Sequence, residues 1–299
     1  MTKIQIRLFG TTTVVLPDGG VVTDLCGIKP RQILEMLAST LGTPVSKDRL
    51  IEQLWGDHPP RTCNATLESY ISMLRRRMGV SRGRRSPLAT TSTGYVLDPD
   101  HVAVDVDEFR QLVQPTPGTT PEEALARTRA AIALVTGDLL ASEPYADWAS
   151  HERVQFQAEY VQACNRAAAH ALEAAQPHVA VELARRAIGH DAMSETSWQL
   201  LIRALSATGA RSEALRAYLE LRRTLVEALG TEPGPASRAL YLELLAEDRH
   251  EATAPASSVH EVRTLLGLLR DAHEGLPDIE LSSRDRRVTE RAERLVRAA

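Results

Sequence analysis

Ile4, Ile6 and Leu8 alternate with Gln5, Arg7 and Phe9, the period-two pattern of a half-buried strand. Two valine-rich runs follow, separated by Pro17-Asp18-Gly19-Gly20, whose residue types mark a turn. Beyond Gly27 the apolar spacing lengthens to three and four. Ile33, Leu34, Leu37 and Leu41 share one helical face, and Leu50, Ile51, Leu54 and Trp55 share a second, with Ser46 placed as its N-cap. A third helix, about Thr62 to Met78, buries Leu67, Ile71, Leu74 and Met78, which fall within about 60° of one another at ~100° per residue. The segment SPLATTSTGYVLDPD then reads as two short strands around Gly94. Strands, three helices and a hairpin within residues 1–104 are the layout of a winged helix-turn-helix domain, with the third helix as the candidate reader of DNA.

From Asp105 onward the pattern is helical. VDVDEFRQLV, PEEALARTRAAIALV and a long stretch from about Trp148 to Ala175 are followed by segments at 178–189, 195–208, 211–229 and 236–247. Trp198, Ala214 and Tyr218 stand at the spacing of the 34-residue tetratricopeptide pattern, with Gly209 in the inter-helix turn. One period upstream, Ala180 and Ala184 take the places of Ala214 and Tyr218, while Ile202 and Leu205 depart from the consensus. The expected fold is therefore mainly α with a small β component: a winged helix-turn-helix over 1–104, an all-α tetratricopeptide-like domain over 105–249, and a linker and helical extension over 250–299.

Charge changes this picture in one place. The chain of 299 residues has a net charge of −4, yet residues 1–104 hold 13 Lys+Arg against 9 Asp+Glu and the remainder 22 against 30. Between 61 and 85 there are seven arginines and one acid, Glu68. A basic module joined to an acidic one suits a protein of which only one half meets nucleic acid. On the third helix the face opposite the apolar stripe carries Thr62, Ala65, Ser69, Ser72 and Arg76, with Thr66 and Met73 to one side. Small residues allow close approach to the major groove, and hydroxyls or arginine can meet base edges. Ser69, Ser72, Met73 and Arg76 are accordingly the base-reading candidates. Thr62, Thr66, Arg75, Arg77, Arg82, Arg84, Arg85, Thr91 and Thr93 are the phosphate candidates, since phosphate contacts position a protein without reading sequence. Gly94 and Tyr95 mark the wing.

Other chemistry is thinly represented. Cys26, Cys63 and Cys164 lie far apart, which fits neither a disulfide framework nor a zinc site and suits a reducing cytosol. No metal-ligand spacing, nucleophile elbow or nucleotide-binding loop occurs, so neither an enzyme nor a cofactor is expected. The acids of DVDEF fit a helix N-terminus. No apolar run approaches a membrane span, so a cytoplasmic protein is expected.

Three stretches, GIKPRQILEMLASTLGTPVSKDRLIEQLWGDHPPRTCNATLESYISMLRRRMG, GYVLDPDHVAVDVDEF and EPGPASRALYLELL, resemble the Streptomyces antibiotic regulatory protein family over about residues 4–248. The first part is similar to the winged-helix domain of OmpR-type regulators, the second to the bacterial transcriptional activation domain. The resemblance implies an activator of a secondary-metabolite gene cluster that binds direct repeats in double-stranded DNA near the −35 element as a homodimer and recruits RNA polymerase holoenzyme. A ligand-controlled repressor or sensor, using the helical domain as its effector or partner site, is the alternative. The nucleotide-binding module of larger family members has no motif here, and no receiver domain precedes the winged helix.

Overall fold

The computed structural model describes residues 3–81 and 86–251, with side chains through residue 246. The chain starts as β1 (Ile4–Arg7), β2 (Thr13–Val15) and β3 (Val21–Val22). Ile4 and Ile6 are buried and Gln5 and Arg7 exposed, as the alternation requires. The Pro17–Gly20 turn closes through Leu16 N–H donating to Gly20 O at 2.8 Å. Three helices follow: α1 (Ile28–Ala38), α2 (Lys47–Trp55) and α3 (Cys63–Arg77), with the short strand β4 (Val45–Ser46) ahead of α2. The Ser46 side chain accepts from Arg49 N–H at 3.1 Å, which satisfies one of the amides left open at the start of α2. The three helices pack around Leu34, Leu37, Leu50, Leu67, Ile71 and Leu74, all fully buried or nearly so.

The hairpin β5 (Leu88–Thr90) and β6 (Gly94–Leu97) joins β4 in a sheet of order β4-β6-β5. Then β7 (Val102–Val104) returns to lie beside β1 in parallel, completing a four-stranded sheet of order β3-β2-β1-β7. The N-terminal strands and the strand that leaves the winged helix thus share one sheet, and β7 runs directly into α4 (Asp105–Leu112).

α5 (Pro121–Leu134) begins with Pro121 in its first turn and a reciprocal capping box between Thr120 and Glu123. The long α6 (Asp147–Glu173), α7 (Pro177–His190), α8 (Glu195–Ala207) and α9 (Arg211–Leu229) each pack on the next. Alanines at 167, 168, 171, 180, 184, 187, 204 and 214 are fully buried, so the helices approach closely where they cross. Trp198 is buried, and its indole N–H donates to Ala192 O at 2.9 Å. Gly209 takes φ +76° in the turn between α8 and α9, a left-handed conformation that glycine adopts without strain. The described residues up to Pro233 form one compact unit; α10 (Pro235–Glu251) belongs to a second. The tail beyond 251, including the expected helix near 282–298, lies outside the described residues.

One feature of the first unit was not legible in the local pattern. The strand alternation places Phe9 outward with Gln5 and Arg7, but Phe9 is buried. β1 ends at Arg7, and the chain continues into a bridge between Phe9 and Leu139, with Leu140 N–H donating to Leu8 O at 2.9 Å. Phe9 there meets Phe156 of α6 at 4.9 Å between ring centroids and Phe109 of α4 at 6.4 Å. The chain has three phenylalanines, and all three meet in this cluster, extended by Tyr160.

Candidate nucleic-acid interface

Helix α3 is held by its apolar stripe. Leu67, Ile71, Leu74 and Met78 are buried, while Thr62, Ala65, Ser69, Ser72 and Arg76 are exposed and Thr66 and Met73 partly so. The structure thus brings together the outward face expected from the sequence. Among the described residues the side chains of Ser69, Ser72 and Arg76 have no hydrogen-bond or ion-pair partner, so this stripe keeps its bonding capacity for another molecule. The two hydroxyls of Thr62 and Thr66 lie 3.5 Å apart on the first turn.

The flanks of α3 differ from expectation. Arg75, a phosphate candidate, is buried: its Nε and one terminal nitrogen donate to Leu88 O at 3.0 and 2.8 Å, and that nitrogen also donates to Thr90 Oγ1 at 2.8 Å. Its position is only about 40° around the helix from Ile71, and the hairpin covers that side. Arg75 is a tie between α3 and β5, not a phosphate contact. Arg77, on the opposite flank, remains exposed but pairs with Asp24 at 2.6 Å, and its Nε donates to Cys26 Sγ at 3.3 Å. These contacts favour its charged form. Arg82, Arg84 and Arg85 lie outside the described residues.

The wing is also anchored at its base. Gly94 and Tyr95 are buried in β6, not displayed at the tip. A Cβ on Gly94 would sit 1.8 Å from Val45 O, so the close approach of β4 and β6 demands glycine. The Tyr95 ring lies 5.9 Å from Lys47 Nζ. Thr91 spends its hydroxyl oxygen on Gly94 N–H at 3.0 Å and shapes the tip, whereas Ser92 and Thr93 are exposed. Lys47, which the sequence reading did not single out, begins α2 and pairs with Glu68 of α3 at 2.7 Å. That hydrogen bond raises its pKa and keeps the one acid of this surface partly neutralised. No sequence signal marks the pair, because the two residues belong to different helices.

The interface rests on a seam to the helical segment. Asp105, first of the DVDEF acids, accepts from Leu8 N–H at 2.9 Å, Phe9 N–H at 3.1 Å and Val106 N–H at 2.9 Å. Burial raises its pKa, and the three amides oppose that rise. Behind α1, Arg31 donates to Glu143 Oε1 at 2.7 Å and Gln32 to Glu143 Oε2 at 2.7 Å. Glu35, fully buried beside them, has its pKa raised to about 7 by loss of solvation, although Thr12 Oγ1 donates to it.

Comparison with known proteins agrees with this arrangement. Residues 26–97 match the C-terminal domain model of transcriptional regulatory proteins, and residues 104–245 match the bacterial transcriptional activator domain. The regulatory protein DnrI of Streptomyces peucetius is 31% identical over 264 residues, which cover 82% of this chain and 93% of DnrI. The chain belongs to the Streptomyces antibiotic regulatory protein family. Another member of the family, the transcriptional regulator RedD of Streptomyces coelicolor, is 27% identical over 82% of this chain. A solved structure of Mycobacterium tuberculosis EmbR, in complex with a low-affinity phosphopeptide, superposes with TM-score 0.72 at 25% identity, covering 88% of this chain and 72% of that one. This family of transcriptional regulators combines a winged-helix region with a helical domain, as here. Among the described residues no helix is long and apolar enough to cross a membrane.

Proposed function

We propose that this regulator binds double-stranded DNA through α3 and activates transcription of a secondary-metabolite gene cluster. The observation that supports it most is the outward stripe of α3: Ser69, Ser72 and Arg76 are exposed and unpartnered, while the arginines on either side are tied to the protein itself. Arg76 suits a bidentate contact to guanine, and Ala65 and Ser69 permit close approach to the groove floor. Thr62, Thr66 and Thr93 are assigned to phosphates on their exposed or partly exposed hydroxyls, and Arg82, Arg84 and Arg85 on charge alone. Residues 1–104 are the DNA-reading part, 105–249 the part that meets protein, and 250–299 an extension of unassigned role. Family membership supports the finer reading of direct repeats beside the −35 element, a homodimer on DNA, contact with RNA polymerase holoenzyme and a cytoplasmic location.

The test is a footprint of the full chain on DNA upstream of its neighbouring gene cluster, with and without RNA polymerase. Protection of spaced direct repeats beside −35, strengthened by polymerase, is the expected result. Protection across the promoter that excludes polymerase would replace the activator with a repressor.

A further inference from the structure

Arginines that are partly buried in this protein have partners. Arg110 reaches Glu152 and Glu159 at 2.8 Å, Arg153 donates to the carbonyls of Glu143, Pro144 and Ala146, and Arg127 donates to Thr116 Oγ1 and Gln111 O. Arg166, in the C-terminal third of α6, is the exception: among the described residues it is partly buried yet makes no hydrogen bond and no ion pair. Its guanidinium donors are thus uncommitted among the described residues and open to a ligand.

Arg166 lines a cavity of about 140 Å³ between the α4–α5 loop, α5 and α6. Its wall holds Arg127 and His170 as further cationic or donor groups, Thr119 beside them, and the apolar atoms of Leu112 and Ala124. No carboxylate lines it, although residues 105–299 hold 30 acids against 22 bases. The nearest acid in the hydrogen-bond network is Glu173, which is exposed and lies 3.4 Å from His170 Nδ1. An acid-rich half has therefore gathered two arginines and a histidine around an opening and kept carboxylates off its wall.

We propose that this cavity is a binding site for a small oxyanion, a phosphate monoester or a carboxylate, with Arg166 as its principal ligand. A guanidinium matches the paired oxygens of either group, and charge-assisted bonds of this kind are roughly twice as strong as neutral ones. The space suits the charged group of an anion with a short body. Bound there, it would join the α4–α5 loop to α6, the helix that carries Phe156 and Tyr160 into the aromatic seam. This site is independent of DNA binding and gives the helical half an input of its own.

The experiment is calorimetric titration of the full chain with inorganic phosphate and, separately, with succinate, at constant ionic strength set with chloride. Saturable heat with one anion, weakened at least about tenfold by Arg166→Gln and unaffected by Arg129→Gln on the exposed side of α5, is the expected result. Saturation by phosphate alone assigns a phosphate ligand, and by succinate alone a carboxylate. Arg166→Gln without ligand is expected to melt no lower than the parent, because among the described residues it breaks no hydrogen bond or ion pair. Absence of saturation by either anion, or saturation indifferent to Arg166→Gln, would overturn the site.

Discussion

Along α3 the side chains of Ser69, Ser72 and Arg76 face solvent with no bond to any described residue; at the seam of β1, α4 and α6, Asp105 is shared among three backbone amides and three phenylalanines fill the space behind it. Both regions are rich in the residues a reader of the sequence would mark as functional, an arginine cluster in one and an acid cluster in the other. Their fates differ because burial decides what a charged group is for. The buried Arg75 and the partly buried Asp105 are matched by their own protein. An exposed, unmatched charge is free to meet a partner, as Arg76 is.

The comparison can be broken at either end. Phe156→Ala removes the ring that touches both Phe9 and Phe109, and is expected to lower unfolding stability by about 3–5 kcal/mol in denaturant titration. A cost below about 1 kcal/mol would mean that the seam carries little of the fold. Arg75→Ala leaves Leu88 O without its buried donor, so a loss of about 2–3 kcal/mol is expected with no DNA present. Unchanged stability together with a flatter salt dependence of DNA affinity would return Arg75 to the phosphate contacts.

Arg76→Ala should do the reverse. Stability is expected to stay within about 0.5 kcal/mol, whereas affinity for the specific site falls by about 2 kcal/mol and affinity for random DNA falls less. Equal weakening on both DNAs would make Arg76 a phosphate contact. A purely pH-dependent effect concerns Glu35. Its folded pKa, about 7, lies above the ordinary 4.5, so the folded state holds the extra proton between those values. Its contribution to stability is complete below 4.5 and is lost as pH rises through 7. Glu35→Gln cannot ionise, so its stability relative to the parent should increase by about 2–3 kcal/mol from pH 5 to pH 8. A constant difference across that range, followed by thermal melts, would show that Glu35 titrates normally.

How much of this was legible follows from the range of each signal. The stripe on α3, the Ser46 cap and the paired alanines of the helical segment depend on residues within a few turns of each other, and local spacing exposes them. Arg75 was misplaced although its angle to Ile71 was available, because a charged side chain was read as surface before the hairpin was known to lie over it. Phe9, the parallel pairing of β1 with β7, and the Lys47–Glu68 bridge depend on segments far apart in the chain. No local spacing encodes such meetings.

The aromatic seam also bears on how such regulators can be recombined. Phe9 belongs to residues 1–104, the part proposed to read DNA, while Phe109 and Phe156 belong to the part that follows it. A chimera spliced between 104 and 105 would graft half of that cluster onto a foreign complement, and would exchange shape along with specificity. A productive exchange of targets between two relatives would carry the crossover past α6, or replace the outward stripe of α3 alone and leave the seam with its original owner.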